Sequence, residues 1–237
     1  MNILNWSKRE VFMQIESVSL LNYFNNLNNQ ILKSSQKIST GKKINASSDN
    51  PAIYSAIKSL QKEVKQIDTQ KTNIERLTNQ KNTQQTKYDT SSKISMEIEN
   101  LLDKAQSGAV SDEEKQAIQD EVNMLADELE DTLGTEVDAS QFDVSSPDSL
   151  QNARNMTNDI INKAATTGSE IRQLNTQKQE IMQDKANLQS TISTLQDTDI
   201  IEEQINLTNK NILQGLAIKS IKTTANQQAN TVFNILG

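Results

Sequence analysis

The chain has 237 residues, with 24 Lys and Arg against 31 Asp and Glu and a formal charge of −7. It contains no His and no Cys, which excludes the usual zinc, haem, iron–sulfur and thiol centres and any Ser-His-Asp triad. Apolar residues make up 34% and aromatic residues 3%, against about 45–50% apolar in ordinary globular domains. Carboxylate-only catalysis would need a pocket that a thin helical chain rarely forms, so neither an enzyme nor a cofactor is expected. The acidic balance opposes nucleic-acid binding, and no run approaches the roughly 18 apolar residues of a membrane span. With 26 Asn and 24 Gln but only 6 Gly and 2 Pro, the composition predicts long polar helices.

At the N-terminus Lys8 and Arg9 are followed by Glu10 and Glu16, which interrupt any signal-peptide apolar core. Leu20, Phe24, Leu27, Ile31, Ser34 and Ile38 then recur at alternating spacings of four and three, the stripe of an amphipathic helix. Gly41 is placed to end it in the left-handed conformation. Asp49 or Asn50 can cap the next helix, with Pro51 at its first position. That helix carries Ile53, Ile57, Leu60, Val64, Ile67 and Ile74. A polar stretch from Thr78 to Lys87 thins the stripe before Tyr88, Ile94, Ile98, Leu101 and Ala105 restore it in a shifted phase. The stretch reads as a solvated face in preference to a hinge.

Gly108 closes this helix, and Ser111 with Glu114 forms a capping box for a shorter one carrying Ile118, Val122, Leu125 and Leu129. Residues 134–147 are the candidate for an irregular loop or a hairpin, with weak alternation at Val137, Phe142 and Val144. Ser146 and Pro147 open another helix, whose heptad seam runs from Leu150 to Leu195 with Thr157, Thr167, Lys178 and Lys185 as polar exceptions. Asp199 and Glu202 cap a last helix carrying Ile201, Ile205, Ile212, Leu216, Ala225, Ala229, Val232 and Leu236. The acidic clusters at 112–114 and 197–203 suit helix N-termini and do not resemble a calcium loop.

The expected fold is all-α, an elongated, coiled-coil-like antiparallel bundle of long helices with the terminal helices paired and a short loop or hairpin at its far end. The expected division is an N-terminal extension over 1–12, a terminal helical domain over 13–40 with 197–237, and a long-helix domain over 41–196 that includes the 134–147 loop. Two paired helices bury little by themselves, so the terminal stripes call for a partner.

The residues Ser39-Thr-Gly-Lys-Lys-Ile-Asn-Ala-Ser-Ser-Asp-Asn-Pro-Ala52 resemble the N-terminal motif of bacterial flagellins. Asp197 to Thr208, followed by Asn211–Gln214 and Ala229–Leu236, resembles that family's C-terminal signature, and the resemblance spans most of 13–133 and 150–237. It implies a structural subunit that polymerises with itself into the extracellular flagellar filament, terminal helices lining the inner tube and long helices forming the shell. It further implies export through the flagellar type III apparatus without a cleaved signal, a chaperone for the C-terminal helix, and hook-associated junction and cap proteins as partners. The polymerisation interface so implied comprises Leu20, Phe24, Leu27, Ile31, Ile38, Ile201, Ile205, Ile212, Leu216, Val232 and Leu236.

The chain departs from the family in having only the 134–147 loop where larger members carry outer domains, with Gln141-Phe142-Asp143 in place of a Phe-Asn-Gly hairpin motif. The segment Glu97–Ala105 lacks the arginines often found there in flagellins sensed by the innate immune receptor. Two alternatives stand beside the filament subunit. One is a hook-associated junction adaptor of the same superfamily. The other is an unrelated coiled-coil adaptor, whose terminal helices would be stably folded in the monomer.

Overall fold

The computed structural model describes residues 3–107 and 110–236, with side chains over 18–107, 110–230 and at 233. The described residues form five α-helices and one 3-10 turn: α1 (Ile3–Thr40), α2 (Pro51–Gln106), α3 (Asp112–Leu133), the turn Ala139–Phe142, α4 (Ser149–Gln196) and α5 (Ile200–Leu236). The chain divides into two compact units. One holds residues 1–63 and 187–237 and the other 64–186, so α2 and α4 contribute to both.

The helix limits follow from local chemistry. Among the described residues Gly41 and Gly134 are the two with positive φ, at 69° and 68°, each just past a helix end. Ser111 Oγ accepts from Glu114 N at 3.3 Å while Glu114 Oε2 accepts from Ser111 N at 2.9 Å, a closed capping box. Asn50 caps α2 by accepting from Ile53 N at 3.2 Å. Asp49 instead ties the preceding loop, its Oδ2 accepting from Asn45 N and Ala46 N at 2.8 and 2.9 Å. Asp199 Oδ1 caps α5 through Ile201 N and Glu202 N. Gly108 lies outside the described residues, as do Met1 and Asn2 and the side chains of the rest of the segment expected as an extension.

The 64–186 unit contains the apolar core. Ile94, Ile98, Leu102 and Ala105 of α2, Ile118, Val122, Ala126 and Leu129 of α3, and Ala153 and Ile160 of α4 cluster around Val137 and Phe142. No hairpin forms over 134–147. Asp138 caps a 3-10 turn through Ser140 N, and Phe142 is driven into the core with no exposed surface. Burying a phenyl ring stabilises by roughly 1.5–3 kcal/mol, more than the weak alternation of Val137 and Val144 could return on a solvated hairpin.

Within and beyond this core, α2 and α4 run antiparallel and also meet through polar side chains. Asp68 pairs with Lys185, Glu75 with Lys178 at 2.8 Å, Lys81 with Glu170 at 2.7 Å, and Ser95 Oγ with Thr157 Oγ1 at 2.6 Å. Three of the four polar exceptions in the α4 seam thus have partners across the interface, and the fourth, Thr167, is buried. The Lys178 ammonium hydrogen-bonds Glu75 and holds its carboxyl below the usual range. The stretch from Thr78 to Lys87 is not a uniformly solvated face, because Thr78, Lys81, Gln84 and Gln85 are half-buried. At the shift in heptad phase the Gln85 side chain lies 3.8 Å from where a Cβ on Gly168 would stand.

Candidate functional site

The candidate site is the α1/α5 pair and the two loops that join it to α2 and α4. Gly41 O accepts from Thr198 N at 3.0 Å and Lys43 N donates to Gln196 O at 2.7 Å, an antiparallel bridge centred on Lys42 and Asp197. Lys43 Nζ caps the α4 C-terminus by donating to Thr194 O at 2.9 Å. Gln196 Nε2 reaches Ile44 O, and Asn45 Nδ2 ties back to Lys42 O. The two motifs from opposite ends of the sequence therefore meet in space. The Ala46 and Asn45 amides, with Lys33 and Lys37 nearby, hold the Asp49 carboxyl below its usual range.

From this clip α1 and α5 run antiparallel. Lys37 pairs with Glu203 at 3.6 Å, Lys210 Nζ donates to Ser34 Oγ at 2.7 Å, and Gln214 Nε2 donates to Asn28 Oδ1 at 3.4 Å. On α1 the expected stripe faces inward: Leu27 and Ser34 are buried, and Leu20, Phe24, Ile31 and Ile38 are half-buried.

On α5 the expected stripe faces the other way. Ile201 is 76% exposed, Ile205 and Ile212 57% and Leu216 56%. The inward side is instead Glu203, Leu207, Lys210, Gln214, Ala217 and Ile221, again at alternating spacings of four and three. Sequence periodicity found the α5 residues that share this uncovered face, but not the residues that meet α1. The inward side mixes Leu207, Ala217 and Ile221 with Glu203, Lys210 and Gln214, so its apolar signal is weaker than that of the outer ridge. Leu213, Ile218 and Phe233 extend the exposed apolar surface, with Val18, Leu21 and Leu32 exposed on α1. The side chains of Val232 and Leu236 lie outside the described residues.

Other chemistry is sparse. Among the described residues no group of three or more acidic side chains could hold a metal ion. A shallow hollow in the 64–186 unit, about 260 Å³ and lined by Glu75, Thr78, Asn79, Asn175 and Lys178, has ordinary ion-pair chemistry. No helix of the described residues is long and apolar enough to cross a membrane.

Residues 11–142, more than half of the chain, match the family model of the bacterial flagellin N-terminal helical region. No curated protein matches the chain significantly. The matched span holds α1 from residue 11, the Gly41–Pro51 loop, α2, α3 and the turn at Phe142. The chain belongs to the bacterial flagellins, a family of structural proteins.

Proposed function

We propose that this chain is the self-assembling subunit of a bacterial flagellar filament. The single observation that carries the reading is the α5 ridge of Ile201, Ile205, Ile212 and Leu216, apolar and uncovered by α1, in a member of the flagellin family. Burying the exposed part of each side chain would stabilise by roughly 1 kcal/mol or more. Repeated at every subunit along a helical lattice, such contacts favour an open polymer, because head-to-tail contacts that do not close generate filaments.

In this reading residues 13–40 with 197–237 form the polymerisation domain and line the inner tube, while 41–196 form the shell. The remaining interface residues, Leu20, Phe24, Leu27, Ile31 and Ile38, serve by holding α1 against α5. Val232 and Leu236 complete the proposed set of interface residues. The subunit is exported without a cleaved signal through the flagellar type III apparatus, with a chaperone on the C-terminal helix. It then joins an extracellular filament bounded by hook-associated junction and cap proteins.

The test is electron microscopy of purified monomer after a salting-out agent and short filament seeds are added. Long, helically ordered filaments are the expected result. Monomers or short capped oligomers from intact chain would favour the junction adaptor instead.

A further inference from the structure

The α1/α5 pair poses a physical problem. Turning α5 half a revolution about its axis would lay Ile212 and Leu216 over the apolar stripe of α1 and return Lys210 and Glu203 to water. The ridge holds larger apolar side chains than the inward Leu207, Ala217 and Ile221, so area burial alone favours the turned phase, yet α5 sits with Glu203, Lys210 and Gln214 among those inward residues. Something other than apolar area sets the phase.

The exception in the α1 stripe is Ser34, which is 1% exposed and accepts from Lys210 Nζ at 2.7 Å. In the turned phase its hydroxyl would be buried under an isoleucine or leucine, without the ammonium that now satisfies it. An orphaned buried polar group costs about 1–3 kcal/mol, equivalent to a roughly five- to 150-fold change in population. The Lys37–Glu203 pair and the Gly41–Thr198 clip act in the same direction from the loop end of the helices.

We propose that Ser34 and Lys210 are positioning residues that lock the rotational phase of α5, so that its apolar ridge faces outward to meet a second copy of the chain. The lock is a property of the monomer; its use in assembly rests on the filament reading above. A polar pair inside an otherwise apolar stripe thus gives up some pairing stability to specify one arrangement, as a single polar residue does in a coiled-coil seam.

The chain lacks cysteine, so disulfide closure can report the phase directly. Asn28→Cys with Gln214→Cys joins two residues in contact, whereas Asn28→Cys with Ile212→Cys places the second thiol on the far side of α5. In dilute monomer the first pair should close about tenfold faster or more. Adding Ser34→Leu should shrink that ratio by about tenfold, Ser34→Ala by a smaller factor, and Ser34→Leu with Lys210→Leu should restore it. A ratio unmoved by either Ser34 substitution overturns the lock, whatever the chain does in assembly. Seeded growth of Ser34→Leu should fall in step with the ratio. A shifted ratio with undiminished growth would uphold the lock and overturn the ridge as the assembly surface.

Discussion

The core around Phe142 and the α1/α5 pair are built on opposite terms. Around Phe142, apolar residues from α2, α3 and α4 converge, and Leu102, Val122 and Leu129 retain no exposed surface. In the terminal pair, α1 turns its apolar stripe inward while α5 turns its own outward and offers Glu203, Lys210 and Gln214 to its neighbour. The core is satisfied by the chain itself. The pair leaves a ridge that α1 does not cover, and the contrast separates residues that hold the fold from residues left exposed by it.

Substitutions should expose that difference in descending order. Phe142→Ala removes a fully buried ring and should cost about 3–5 kcal/mol, read as a lower denaturant midpoint by circular dichroism. A loss below about 1 kcal/mol would mean that the turn is not part of the core.

Leu216→Asp should leave the monomer within about 0.5 kcal/mol of the parent, as an exposed substitution does, while abolishing seeded growth. Phe24→Asp, on the inward face, should weaken the α1/α5 pair itself, seen as faster proteolysis of both termini. Equal effects of the two on the monomer would erase the asymmetry between the helices.

Two buried serines sharpen the account of the α2/α4 interface. Ser95→Ala breaks the bond to Thr157, whose hydroxyl keeps its bond to Ala153 O, and should cost about 0.5–1.5 kcal/mol. Ser91 is equally buried, but its hydroxyl has no hydrogen-bond partner among the described residues. Ser91→Ala should therefore be neutral or slightly stabilising by thermal melting.

The smallest effect is one of pH. The folded pKa of Asp49 is lowered, so its contribution is present above the ordinary aspartate pKa and is lost as the pH falls through the folded value. Hydrogen exchange at the Asn45 and Ala46 amides should accelerate in acid, after correction for intrinsic rates. Protection independent of pH there would show that the carboxylate does not hold the loop.

Much of this was legible in the sequence because local rules act over a few residues. Gly41 and Gly134, the Ser111–Glu114 box and the Asp199 cap each depend on neighbours within one helical turn. The heptad seam of α4 was legible for the same reason, down to which positions face inward. Other outcomes depended on what lay opposite. Lys178 and Lys185 are exceptions in a linear pattern but partners of Glu75 and Asp68 once α2 runs antiparallel to α4. Asp49 and Asn50 are interchangeable as caps on paper, and the loop fold divides their work.

The sequence by itself determined the helices, their ends and the grouping of apolar residues onto single faces, because periodicity and capping are local. Only the tertiary structure decided between loop and hairpin over 134–147, with Phe142 drawn into the core, and that α5 would turn its apolar face away from α1. Both follow from which distant side chains share the interior. A helix's own sequence specifies its faces, but the hydrogen bonds and burial offered by its neighbours decide which face turns inward.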